Sequence, residues 1–321
     1  MLRVLLVALI AMVSLAQAAR AETFPSRQVT MIVPYPPGTN ADVVARFVAD
    51  KLSQKFGQRV VVESKAGGAT VPGTMAVIHA PADGHTMLVS GTATNVNPVM
   101  GVKTSYDAEK DLTPIALLVT FPGVLVVNSK VPVKTVAELV EYSKKQPKPL
   151  LYSSPGVGSF PHLAMEQFKQ LTGANVEHVP FRGLGPAMIG LLRNDVQISV
   201  ADIPGALPHI KAGELKALAQ TGKQRMPQVP DLPTIAETGV QGYEAAGFLG
   251  VWVRTGAPAE TVALLNKDVN EALTAPDITA YAHSNGLLIG GGTPADFVAY
   301  MKRDKEIWTP VIQKAGIKIS E

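Results

Sequence analysis

Apolar positions recur along this chain in two alternating rhythms. Short runs rich in β-branched residues predict strands at Val29 to Val33, Val60 to Glu63, Thr86 to Ser90, Val124 to Val127, Leu150 to Ser153, Val196 to Ala201 and Leu215 to Gln220. Between them, Asp42 to Phe56, Thr135 to Lys145, Pro161 to Leu171 and Leu184 to Arg193 place apolar residues at i, i+3 and i+4, the spacing of helices that bury one face. Alternation of this kind predicts an α/β fold with mostly parallel strands, in which ligands bind where strands end.

Two stretches interrupt the rhythm: Ala116 to Val124, which carries Pro122-Gly123, and Tyr243 to Val253, which is aromatic and Gly-rich. They are expected to be crossings between lobes, with 22–120 and 249–321 forming a discontinuous first lobe, 121–248 the second, and a ligand cleft between them. Thr261 to Ala315 predicts a helical tail.

The first 21 residues follow a different pattern. Arg3, an apolar stretch from Val4 to Val13 and small residues ending in Ala19-Arg20-Ala21 predict a secretory signal peptide, 1–21, cleaved after Ala21 or after Ala18. The apolar stretch is shorter than the ~20 residues needed to span a bilayer. Residues 1–21 carry Arg3 and Arg20 and no acid, so their removal takes the formal net charge from +3 to +1. A near-neutral exported chain has no electrostatic claim on nucleic acid. With no cysteine anywhere, disulfides, thiolate chemistry and Cys-ligated metals are excluded; a 46% hydrophobic composition supplies the core that makes covalent staples unnecessary.

Candidate chemistry lies in the turns. At "IVPYPPGTNAD" a strand, a Pro/Gly loop and a helix start follow one another, which leaves backbone N–H groups unpaired where the helix dipole is positive. This makes an anion cup from Tyr35, Gly38, Thr39, Asn40 and Asp42. The same residues also suit plain N-capping, with Thr39 and Asp42 as a T-x-x-D box. "LLYSSPGVGSFPH" repeats the arrangement with Ser153, Ser154, Gly158, Ser159 and His162. Two such cups on two lobes point to a small ligand with one or two carboxylates gripped between them. Ser90, Thr92 and Asn95, after another strand, are candidates to line the same cleft; Arg182 is the nearest candidate for an ion pair, and Asp202, at a strand end, for accepting from a ligand hydroxyl or a water.

Enzyme signatures are missing: no G-x-S-x-G, H-E-x-x-H or G-x-x-x-x-G-K-[ST] occurs. His162 and Glu166 stand at i, i+4 without a third candidate ligand, so no metal is expected. "GVGSFP" approaches a dinucleotide fingerprint but has Pro161 where the third glycine belongs, and no cofactor is expected.

The ordered series "FPSRQVTMIVPYPPG", "GQRVVVESKAGG", "APADGHTML", "DLTPIALL", "HVPFRG", "ALPHIKAGELKALA", "LPTIAETG", "RTGAP" and "GGTPADF" resembles the periplasmic solute receptors of tripartite tricarboxylate transporters, the Bug family. The resemblance implies a two-lobed periplasmic-binding-protein-like fold that closes on a small carboxylate and delivers it to a two-subunit membrane permease, the receptor itself being a monomer. It implies ligand loops at Tyr35 to Asp42 and Ser153 to His162. This chain departs from the family pattern at Thr39 and Asn40, where glycines are usual, at Ala41, where Thr is usual, and at Phe248, where Trp is common. A solute sensor feeding a signalling kinase and a secreted enzyme acting on carboxylates are the alternatives.

Overall fold

A computed structural model describes residues 24–319. The expected signal peptide, 1–21, lies outside the described residues. The chain builds two mixed α/β sheets, each forming the centre of a lobe. The first sheet contains β1 (Val29–Val33), β2 (Val60–Ser64), β3 (Thr86–Gly91), β4 (Leu112–Pro122), β10 (Ala246–Arg254) and β11 (Leu288–Gly291), in the order β11-β4-β10-β3-β1-β2. The second holds β5 (Val124–Asn128), β6 (Leu150–Ser154), β7 (Val176–Pro180), β8 (Ile198–Ala201) and β9 (Leu215–Gln220), in the order β7-β6-β8-β5-β9.

The strands are not mostly parallel. β1 runs parallel to β2 and β3, and β6 parallel to β7 and β8, but β10 is antiparallel to β3 and β4, and β5 to β8 and β9. Topology gives the reason: β5 and β10 enter their sheets from the other lobe, so they start at the cleft where β1, β3, β6 and β8 end. The expected helical tail is also interrupted. After helices at Ala259–Leu273 and Pro276–Ser284 the chain adds β11 to the edge of β4, and only then forms Pro294–Ala315. Gly290 permits that pairing, since a Cβ there would stand 2.7 Å from the Leu117 backbone oxygen.

The chain passes between sheets at Gly123, which joins β4 to β5, and again just before β10. One buried residue holds both passages. The Thr221 backbone N–H donates to the Gly123 carbonyl and its carbonyl accepts from the Ala245 N–H, while its hydroxyl accepts from the Gly123 N–H at 2.7 Å and donates to the Ala245 carbonyl at 2.8 Å. The last helix bridges the lobes as well. Trp308, Val311 and Ile312 are buried in one apolar cluster with Tyr152, Leu163 and Phe168 of the second lobe, which also takes in Val96 and Met100.

Candidate functional site

Five of the strands that end towards the gap between the sheets are followed by helices that begin there: α1 (Asn40–Phe56) after β1, α3 (Thr92–Val96) after β3, α6 (Phe160–Thr172) after β6, α7 (Leu184–Arg193) after β7 and α8 (Ile203–Lys211) after β8; α2 (Val71–Ile78), α4 (Ala108–Asp111) and α5 (Val136–Lys145) lie elsewhere. Strand C-termini and helix N-termini thus converge on a cavity of about 330 Å³, the arrangement in which open α/β sheets bind ligands. Its walls are mainly apolar. Tyr35, Phe121, Leu249 and Leu287 contribute from the first lobe, and Pro155, Phe160, Pro161 and Leu184 from the second. Phe121 and Phe160 meet edge to face across the gap, ring centroids 5.9 Å apart. The lobes also touch beside the cavity, where Gly158 packs on Met100 and Gln228 Nε2 donates to the His283 carbonyl.

The two loops have one construction. In the first, Gly38 has φ +81°, Thr39 takes the N-cap position with its Oγ1 donating to the Pro36 carbonyl at 2.9 Å, and the Gly38 N–H donates to Asp42 Oδ2 at 3.0 Å. In the second, Gly158 has φ +74°, Ser159 is the N-cap with its Oγ donating to the Gly156 carbonyl at 2.6 Å, and the Gly158 N–H donates to His162 Nδ1 at 3.0 Å. The left-handed glycine turns the strand's end into the helix's start. The first-turn N–H groups beyond it, Asn40 and Ala41 in one loop and Phe160 and His162 in the other, have no intrahelical acceptor.

Asp42 and His162 therefore stand behind the loops. Asp42 is buried and held in a fork by Arg46, with bonds of 2.8 and 3.1 Å. The Arg46 guanidinium keeps its carboxyl below the usual carboxylate range. His162 stacks on His178, ring centroids 3.7 Å apart, and His178 Nε2 meets Ser154 Oγ at 2.6 Å. Burial pushes His162 down to about 3 and His178 down to about 4. Both rings are neutral near pH 7, as the Gly158 bond to Nδ1 requires.

Of the residues singled out in the sequence, Tyr35, Thr39, Asn40, Thr92, Gly158, Ser159, Asp202 and Phe248 border the cavity. Thr92 Oγ1 is buried without a hydrogen-bond partner, and Tyr281 Oη donates to Asn40 Oδ1 at 2.9 Å. Gly38, Asp42 and His162 are not on the cavity wall, and neither are five others. Ser90 is fully buried and meets Thr94 Oγ1 at 2.6 Å, reaching the cleft only through Tyr35 Oη at 3.4 Å. Asn95 is drawn away by the buried Asp304, to which its Nδ2 donates at 2.8 Å. Ser153 and Ser154 are fully buried in β6, and Arg182 is exposed on the turn before α7. Phe248 borders the cavity, but its side chain is fully buried against Tyr300, Phe297 and Trp252. The aromatic surface of the cleft comes instead from Tyr35, Phe121 and Phe160. Phe160 was readable as the residue after an N-cap serine; Leu184, Asn285 and Leu287 carried no signal in the sequence. Among the described residues no group of three His, Asp or Glu is placed to hold a metal.

Two lobes, crossing strands and a cleft ringed by helix N-termini define a two-lobed periplasmic binding protein. The profile of the "Tripartite tricarboxylate transporter family receptor" matches residues 44–317, and the chain belongs to that family. The protein BugT of Bordetella pertussis is 32% identical over 97% of this chain and 96% of its own length. Among solved structures, an R. palustris protein with adipate is 34% identical, with a TM-score of 0.80 over 92% of this chain and 99% of that one. MatC from Rhodopseudomonas palustris with bound malate is 29% identical, with a TM-score of 0.76 over 90% and 100% of the respective chains.

Proposed function

We propose that this protein is the exported receptor of a tripartite tricarboxylate-type transporter, which traps a small carboxylate between its lobes and presents the closed form to a two-subunit membrane permease. The observation that carries the reading is the pair of like-built loops, each offering unpaired first-turn N–H groups to one cavity. Hydrogen bonds to a charged group contribute ~1.5 to 3 kcal/mol each. Four of them match the about 8 kcal/mol of micromolar binding without any arginine. Relatives solved with adipate and with malate support a carboxylate ligand. No catalytic step is assigned, since the cavity is bordered by neither a paired nucleophile and base nor a metal-ligand cluster among the described residues. Among those residues no helix is long and apolar enough to cross a membrane; export rests on residues 1–21.

Titration calorimetry of the purified mature chain against a panel of mono-, di- and tricarboxylates tests the proposal. Saturable binding of at least one acid, weakened in variants of both loops, is expected. Absence of binding across the panel, or turnover of a bound acid, would overturn it.

A further inference from the structure

Both lobes bring hydrogen-bond donors to the cleft. The first-turn N–H groups of Asn40 and Ala41 on one lobe are matched by those of Phe160 and His162 on the other, and α7 and α8 add the N–H groups of Leu184 and Ile203. A carboxylate held by both loops is therefore well supplied. The acceptors on the wall are what this grip leaves unused.

Asp202 is the one charged side chain bordering the cavity among the described residues; no Lys, Arg or His borders it there. It stands at the N-cap position of α8 without making the cap bond, and its carboxylate has no ion-pair or hydrogen-bond partner among those residues. Its own helix offers little relief, since Pro204 removes the N–H of the second position. Asn285, on the first lobe, adds a second acceptor. Its Nδ2 donates to the Tyr281 carbonyl at 2.8 Å, which leaves Oδ1 without a donor among the described residues.

The two acceptors are neighbours across the lobes. A Cβ on Gly286 would stand 3.2 Å from Ile203 Cβ, so the residue after Asn285 packs on the residue after Asp202. The Phe160 ring is close by: a Cβ on Gly123 would lie 3.1 Å from the Ala201 oxygen and 3.4 Å from Phe160 Cε1, which puts the ring beside the strand end leading into Asp202. When the lobes close, a carboxylate and an amide oxygen without donors lose their water, and a dicarboxylate ligand would add a further negative charge with no cation to offset it. A protonated amine supplies what is lacking: a donor for both oxygens, a positive charge against the carboxylate and a cation for the aromatic face.

We infer that the ligand is a zwitterion, a carboxylate that also carries a protonated amine, with its carboxylate held by the two loops and its ammonium received by Asp202 and Asn285. The inference rests on the receptor reading and narrows it to one class of acid; the grip of both loops on the carboxylate is unchanged.

Calorimetry with acids of one six-carbon skeleton separates the possibilities: norleucine, ω-aminohexanoate, hexanoate, α-hydroxyhexanoate and adipate. Phenylalanine and hydrocinnamate form a matched pair with a ring. Norleucine, ω-aminohexanoate or phenylalanine is expected to bind at least tenfold more tightly than the amine-free acid of the same skeleton and than adipate. Asp202→Asn is expected to reduce that ratio at least tenfold, with its thermal midpoint reporting the fold, and Asn285→Leu to reduce it by a smaller factor. Hexanoate, adipate or the hydroxy acid binding as tightly as the best amine, or a preference for amines that survives Asp202→Asn, would overturn the inference and leave the receptor reading intact. No heat with any of these acids would also overturn it, and the wider carboxylate panel would then decide the receptor reading separately.

Discussion

Gly38 donates its N–H to a carboxylate and Gly158 donates to an imidazole, although the two glycines share a left-handed backbone, a following hydroxyl N-cap and a partner four residues on. Behind the first loop stands an ion pair, Asp42 with Arg46, whose cation is half exposed. Behind the second stands a neutral stack, the buried His162 on the half-buried His178, flanked by Tyr152, whose hydroxyl donates to Glu166 Oε1 at 2.5 Å. One turn geometry can therefore be braced from charge or from packing. The first brace keeps a full charge beside the cleft; the second spends its surroundings on dehydrating two rings.

The comparison breaks most sharply at the glycines. Gly158→Val adds a Cβ only 2.7 Å from Met100 Sδ to a backbone at positive φ, between two lobes. Ligand affinity is expected to fall by about a hundredfold or more and the fold to lose several kcal/mol, read by calorimetry and denaturant unfolding. At Gly38 a Cβ would meet nothing within 4 Å, so Gly38→Ala is expected to cost only the left-handed strain, about 1–2 kcal/mol. Equal losses at both positions would erase the distinction.

Next come the braces. Asp42→Ala and His162→Ala each leave a glycine N–H without its acceptor, for which about 1–3 kcal/mol of stability is expected to be lost, measured by denaturant unfolding. Only the Asp42 variant is expected to regain part of its loss when Arg46 is also replaced, because only there is a charge left unpaired.

The braces should also separate by pH. His162 and His178 titrate in the folded state at about 3 and about 4, below the usual histidine value of about 6.5, so the unfolded chain binds the more protons between these limits. Their contribution is complete above pH 6.5 and is lost as pH falls towards 3. Asp42 contributes above the ordinary carboxylate value and loses its share only at lower pH, as its depressed folded value is passed. Asp304, pushed up to about 7 by burial, works in the opposite sense: its contribution is complete below the ordinary value and is lost as pH rises through 7. Thermal unfolding from pH 8 to 3 is expected to show an acid limb beginning below 6.5, made shallower by His178→Phe. An unchanged slope in that variant would contradict the neutral stack. The smallest effects, about 0.5–1.5 kcal/mol, are expected from Thr39→Ala and Ser159→Ala, each of which removes one hydroxyl bond to a loop carbonyl; unfolding midpoints measure both.

The sequence made the regular parts legible where pattern and period agree. Val29 to Val33, a continuous apolar run, is buried at nearly every position in β1, and Leu184 to Arg193 forms a helix with the expected bounds. Strand direction was not legible, because nothing in the residues of β10 records from which end they enter the sheet. Nor was β11, whose Leu-Ile-Gly-Gly reads as a turn until Leu117 supplies an edge to pair with. In the site, loop chemistry was readable because a glycine followed by a hydroxyl N-cap is a local signal. The placement of Asn95 was not, since its partner, Asp304, lies 209 residues away. Leu184 and Asn285 border the cavity for the same reason: two distant segments meet there, and neither records the other.

Thr221 has a mechanical consequence. Both stretches of chain that leave one sheet for the other are tied to its backbone, and its single hydroxyl links them out of reach of water. They behave as one ribbon: torque applied to either is shared by its neighbour within two hydrogen bonds, so bending at Gly123 without bending at Ala245 would tear apart bonds that no solvent molecule is on hand to replace.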